Sequence, residues 1–196
     1  MIYYLSLFVL RLINLIYCRA TVLGKERIPA RGGYILACNH ISNLDPFIMG
    51  VTTLRPLNFM AKEELFGNAL SSFYWHHVGA FPIKRDEADF RAIREAIRRL
   101  KNGKLLVMFP EGTRGSAQRA KKINPGVGLL VKRAGVPVIP VHLKGTDQVL
   151  PNDAKWFSRH PVTITIGEPI SFPPATPNNE IAVAIMEKVQ ELSSQC

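Results

Sequence analysis

Three polar loops, each placed directly after a short apolar run, hold residue types suited to proton transfer and anion binding. The first reads Asn39-His40-Ile-Ser-Asn-Leu-Asp45-Pro46 and follows Tyr34-Ile-Leu-Ala-Cys38. A histidine with a carboxylate five positions on, and a proline fixing the turn, suits a base and its orienter. The carboxylate sets the imidazole tautomer by accepting from one ring nitrogen, which leaves the other to take a proton from a hydroxyl. No nucleophile accompanies the pair: Ser42 lies only two residues from His40, and no Gly-x-Ser-x-Gly elbow occurs. The hydroxyl to be activated is therefore expected on a substrate. Taken alone, the pair also admits a structural histidine and a helix-capping Asp45.

The loop Pro110-Glu111-Gly112-Thr113-Arg114-Gly115 packs a carboxylate, a glycine turn, a hydroxyl and a guanidinium into a few positions. Gly112 permits close backbone approach, and Arg114 offers a planar fork matched to phosphate oxygens. A plain surface turn explains Gly112 and Thr113 but not the whole set. Lys84 and Arg85, after residues 79–83, read either as further anion ligands or as solvated charges, and Lys62 follows the apolar run ending at Ala61. Cys18, Cys38 and Cys196 form no Cys-x-x-Cys pair, and no metal-ligand spacing is visible, which fits a reducing cytoplasmic setting. His76 and His77 beside Trp75, His142 and His160 have no acidic partner at useful spacing and read as packing residues.

The elements that must position these loops follow from periodicity. The chain has 196 residues, 47% apolar and 20% charged, enough for one sizeable domain. Residues 34–38, 57–61, 79–83, 105–109, 136–143 and 162–166 read as strands, with Pro82 placing the third at an edge or a strand end. Helices are expected over 90–100, with Asp86 as cap and Phe90, Ile93, Ile97 and Leu100 on the apolar face, and over 126–134 and 179–192. This alternation predicts an α/β fold: a layered, largely parallel central sheet flanked by helices. The polar loops then gather past the carboxyl ends of strands, where such sheets build their sites.

Residues 1–18, MIYYLSLFVLRLINLIYC, are apolar but interrupted by Arg11 and Asn14, which disfavours a spanning helix, and they lack the ends of a signal peptide. A membrane-associated helix lying in the interface fits better. Tyr3, Tyr4 and Tyr17 suit that depth, while Arg11, Arg19, Lys25, Arg27 and Arg31 meet anionic headgroups. A buried core helix is the alternative. The expected division is a helix over 1–18 and one domain over 19–196. Lys and Arg number 25 against 15 Asp and Glu, a net charge of +10, which points to an anionic membrane, a phosphate-bearing substrate or nucleic acid. The dispersed basic residues match no nucleic-acid module, so nucleic acid is not expected as a partner.

Four blocks now stand in order: Asn39-His40-x4-Asp45-Pro46, Gly79-x-Phe81-x-Ile83-x-Arg85, Phe109-Pro110-Glu111-Gly112-Thr113-Arg114 and Val136-Pro137-Val138-Ile139-Pro140-Val141. Together they resemble the four blocks of the glycerolipid acyltransferases, over roughly residues 20–150. The resemblance implies an O-acyltransferase that forms phosphatidic acid from 1-acyl-sn-glycerol-3-phosphate in phospholipid biosynthesis. It makes His40 the base on the acceptor hydroxyl and Asp45 its orienter. The donor would be acyl-CoA or acyl carrier protein, attacked directly, with no cofactor and no metal. Arg85, with Lys62 and Lys84 beside it, would hold the phosphate; Glu111, Gly112, Thr113 and Arg114 would bind the glycerol and phosphate portion. The 136–141 block would wall the acyl chain, and His76 and His77 have an acyl path as their alternative. Two departures stand out: Lys84 beside Arg85 leaves open which cation grips the phosphate, and Gly115 replaces a frequent serine. The same chemistry on another lysophospholipid or an amino-acid lyso-lipid, and a non-catalytic lipid-binding protein, are the alternatives. The implied location is the cytoplasmic face of a membrane, the inner one in a bacterium.

Overall fold

A computed structural model describes residues 1–84, 89–111, 126–151, 154 and 156–195. Its sheet has seven strands: β1 (Thr21–Leu23), β2 (Tyr34–Cys38), β3 (Leu57–Lys62), β4 (Ala80–Ile83), β5 (Leu105–Met108), β6 (Val138–Lys144) and β7 (Thr163–Ile166). Their order is β1-β7-β6-β2-β5-β3-β4. Every neighbouring pair is parallel except β6 with β7, so the largely parallel sheet expected from sequence is present. β4, which carries Pro82, takes the edge. β1 is not read from sequence: Thr-Val-Leu is too short to show a period, and its pairing is with β7, far along the chain.

Strand alternation divides the core between two faces. Ile35, Ala37 and Leu106 point to the face covered by α4 (Phe90–Lys101), α5 (Gly126–Ala134) and α7 (Asn178–Glu191). Leu36, Cys38, Leu105 and Val107 point the other way, against Leu44, Ile48 and Met49. That second face carries the short helix α2 (Asp45–Ile48) and the end of the N-terminal helix.

Two details of α4 differ from the sequence reading. Asp89 is its N-cap, accepting from the Arg91 and Ala92 N–H groups, whereas Asp86 lies outside the described residues. Its buried stripe is Ala92, Ala96 and Leu100, with Ile93 and Ile97 beside it; Phe90, on the first turn, is 70% exposed.

The N-terminal segment forms α1 (Ile2–Ile13), ending in a π-helical turn over Asn14–Cys18. It is not a core helix: within it only Leu7 and Cys18 are buried, while Tyr4, Leu5, Phe8, Val9, Leu12, Leu15 and Ile16 are exposed. Among the described residues no helix is long and apolar enough to cross a membrane. Arg27, one of the cations expected to meet headgroups, pairs with Glu168 at 2.8 Å and donates to the Ile166 carbonyl. A further helix, α3 (Ala69–His77), occupies the aromatic stretch before β4. His76 and His77 on it are exposed, each ring held to a backbone carbonyl one turn back, so neither packs in a core.

Candidate active site

β2 lies between β5 and β6, and the chain leaves the sheet immediately after Cys38. Asn39 extends the pairing with its side chain: Nδ2 donates to the Leu143 carbonyl at 2.9 Å, and Oδ1 accepts the Leu143 N–H at 2.7 Å. That double bond ties the first loop residue to β6 and sets the direction in which His40 departs. His40 is buried, its ring stacked on Phe109 at 4.2 Å between centroids.

His40 Nδ1 lies 2.8 Å from Asp45 Oδ2. The same oxygen accepts the Ile41 and Ser42 N–H groups, each at 2.8 Å, and Oδ1 accepts the Thr146 hydroxyl at 2.6 Å. Asp45 is fully buried, and donors occupy both of its oxygens, as a buried carboxylate requires. An acceptor-only carboxylate makes Nδ1 the protonated ring nitrogen, leaving the Nε2 lone pair to receive a proton. The helix-cap alternative for Asp45 does not hold. The residue opens α2, but its carboxylate turns back to the preceding turn and to His40.

The chain's own nucleophiles nearby are disarmed. Ser42 is buried, donating to the Leu150 carbonyl at 2.8 Å and accepting the Leu44 N–H. Burial pushes the Cys38 thiol well above its ordinary range, and the Asp45 charge pushes it further in the same direction. Glu111 enters from the end of β5, where its Oε2 accepts the His40 backbone N–H at 3.3 Å. Burial raises its carboxyl above the usual range, and that hydrogen bond pulls it partly back. Glu111 therefore braces the loop that carries His40.

His40 also lines a cavity of about 670 Å³. Its walls come from α1 (Ser6, Leu10, Ile13), β3 (Phe59, Met60, Ala61), α3 (Tyr74, Trp75) and Phe109, so they are overwhelmingly apolar. Gly50 forms part of the floor because α1 approaches it closely: a Cβ there would stand 2.7 Å from the Leu10 side chain. The Tyr3 hydroxyl accepts the Leu57 N–H at 3.0 Å and pins the start of α1 to β3. This size and lining suit a flexible apolar ligand. The 136–141 block, expected to form that wall, instead runs through the middle of the sheet, and none of its residues lines the cavity. An apolar run cannot by itself distinguish a core strand from a cavity wall.

The cationic side is described in part. Lys62, exposed at the end of β3, lines the cavity. Lys84 follows β4, and its N–H donates to Asp89 Oδ2 at 3.1 Å. Arg85, Gly112, Thr113 and Arg114 lie outside the described residues. Among the described residues no group of side chains could hold a metal ion. Sequence reasoning assigns no part to Thr146, Asn39 or Trp75. For Thr146 the usable signal is its place just past the carboxyl end of β6, where the other site loops also leave their strands.

The site sets a buried, hydrogen-bonded His40–Asp45 pair against an apolar chamber. A family model described as acyltransferase matches residues 19–144. The chain is 31% identical over 151 residues to a 1-acyl-sn-glycerol-3-phosphate acyltransferase of Bacillus subtilis, covering 76% of this chain and 72% of that one. It is 35% identical over 149 residues to the Streptococcus pneumoniae enzyme of the same name, covering 74% of this chain and 53% of that one. The crystal structure of the 1-acyl-sn-glycerophosphate (LPA) acyltransferase PlsC from Thermotoga maritima superposes with a TM-score of 0.75 at 27% identity, covering 95% of this chain and 79% of that one. With the family model spanning well over half its length, the chain belongs to the acyltransferase family.

Proposed function

We propose that this protein transfers a fatty acyl group from a thioester to the free hydroxyl of 1-acyl-sn-glycerol-3-phosphate, giving phosphatidic acid. The observation that carries the reading is the His40–Asp45 dyad in the wall of a 670 Å³ apolar cavity. His40 Nε2 takes the acceptor's hydroxyl proton as the oxygen attacks the thioester carbonyl. The tetrahedral intermediate collapses, the C–S bond breaks, and the leaving thiolate takes the proton back from the imidazolium. Asp45 stays ionised throughout and stabilises the transient positive charge on His40. The thioester is carried by coenzyme A or acyl carrier protein, and the step as written uses no other cofactor.

Lys62, Lys84 and Arg85 supply positive charge for the acceptor's phosphate, with Gly112, Thr113 and Arg114 completing its cradle. Glu111 serves this reading by holding the dyad loop rather than by touching the anion, since a carboxylate repels phosphate. The exposed apolar residues of α1, together with Arg11 and Arg19, support a seat for the protein at the cytoplasmic surface of an anionic membrane, where lipid substrate and product would reside.

Two experiments test this reading. Purified protein supplied with a panel of lysolipids and acyl donors is expected to convert lysophosphatidic acid fastest, as read by mass spectrometry; a preference for an acceptor without a phosphate monoester overturns the substrate assignment. Replacing Leu5, Phe8 and Leu12 together by serine should weaken sedimentation with anionic vesicles at least about tenfold, since each contributes exposed apolar surface. Unchanged sedimentation removes α1 from the membrane contact.

A further inference from the structure

We infer that Thr146 is a positioning residue of the acyl-transfer centre, the outer member of a Thr146–Asp45–His40 hydrogen-bonded chain. The inference rests on the reading of His40 as base. Three of the donors to Asp45 converge on Oδ2: His40 Nδ1 and the Ile41 and Ser42 N–H groups. Rotation about the Cβ–Cγ bond displaces both oxygens, so these three donors oppose it from one side and a donor on Oδ1 opposes it from the other. The Thr146 hydroxyl is the donor to Oδ1 among the described residues, at 2.6 Å, and with both oxygens held the carboxylate plane is fixed. That plane aims the Nδ1–H and therefore Nε2.

The fold delivers the hydroxyl by a specific route. Thr146 is fully buried and lies 101 positions from Asp45, just past the carboxyl end of β6. Gly145 turns the chain there with φ 89°, and a Cβ at that position would stand 2.5 Å from the Pro161 carbonyl. Only glycine accommodates both the conformation and the approach. The oxygen that Thr146 binds is turned away from His40, so the residue acts through Asp45 and does not touch substrate. Among the described residues the titratable groups beside Asp45 are His40, Glu111 and the Cys38 thiol, and the donor to Oδ1 is the Thr146 hydroxyl.

The test pairs Thr146→Val, which keeps the shape and removes the hydroxyl, with Thr146→Ser, which keeps the hydroxyl. For Thr146→Val, kcat should fall roughly 10- to 100-fold with the acceptor KM within about twofold. The carboxylate, deprived of one donor, concentrates more negative charge on the imidazolium, so the acid limb of kcat against pH should move up in Thr146→Val and stay in place in Thr146→Ser. Thr146→Ser should retain kcat within about threefold. A valine variant that loses only thermal stability, with kcat and pH profile intact, overturns the inference, as does a serine variant as impaired as the valine one. Proton NMR gives a readout that does not require turnover. The low-field Nδ1–H resonance of His40 should persist in the parent and in Thr146→Ser, and shift or broaden in Thr146→Val. If the parent makes no phosphatidic acid, the functional reading fails, while an NMR signal unmoved by the valine is what overturns the role of Thr146.

Discussion

Replacing Asp45 by asparagine separates geometry from charge at this site. Oδ2 receives three hydrogen bonds from N–H donors and Oδ1 receives one from a hydroxyl. An asparagine amide has one acceptor end and one donor end, and the three N–H donors dictate that its oxygen takes the Oδ2 place. Its NH2 group then faces Thr146, whose hydroxyl reverses and accepts. The Nδ1–H tautomer of His40 survives, the loop stays satisfied, and stability should change by less than about 1 kcal/mol. What disappears is the anion beside the imidazolium. Two unit charges about 4 Å apart at an effective dielectric near 20 attract by about 4 kcal/mol, or about three decades in rate. Neutral hydrogen bonding recovers part of this, so kcat should fall roughly 10²- to 10³-fold with KM little changed. Asp45→Ala is a poorer probe, because it strands buried donors at about 1–3 kcal/mol each and threatens the fold. The assay is the initial rate of phosphatidic acid formation, with circular dichroism confirming folding. An Asp45→Asn rate within about threefold of the parent refutes the claim that a carboxylate charge stabilises the imidazolium.

Two further outcomes follow from the same geometry. Ala61 lines the cavity, so Ala61→Trp should raise KM about tenfold for the longest acyl donors and leave short ones within about twofold, measured with a series of acyl-CoA lengths. Glu95 is held down at about 2 by its hydrogen bonds and ion pairs with Arg98 and Arg99. A depressed folded-state value stabilises the protein above the ordinary glutamate range and loses that contribution as pH falls from about 4.5 toward 2. Glu95→Gln should therefore lower stability by about 1–2 kcal/mol near neutral pH, allowing for solvent screening, with the difference vanishing in acid denaturation profiles toward pH 2.

The site was legible in sequence where chemistry is local and illegible where it is assembled by the fold. His40 and Asp45 sit five positions apart on one turn, and their pairing follows from that spacing and Pro46. Thr146 joins the pair only because β6 lies beside β2, an adjacency that no periodicity announces. The largely parallel sheet followed from alternating strands and helices, and the edge place of β4 from Pro82. Thr21–Leu23 stayed hidden because three residues carry no pattern and their partner is β7. α3 carries no clear amphipathic stripe, since Leu70 and Phe73 stand exposed while Tyr74 and Trp75 line the cavity. The 136–141 block lies in the sheet and not in the cavity wall for a related reason: a run rich in β-branched residues declares burial, not what it is buried against.

The central claim, that His40 deprotonates a substrate hydroxyl for direct acyl transfer, is tested most directly by the turnover rate of His40→Ala. The buried imidazole is hydrogen-bonded to Asp45 and stacks on Phe109, so its loss leaves the loop held by Asn39, Glu111 and the backbone donors to Asp45. The account predicts a folded protein that still sediments with anionic vesicles and forms phosphatidic acid at least about 10³-fold more slowly than the parent. A folded His40→Ala variant with turnover within about tenfold of the parent would contradict it.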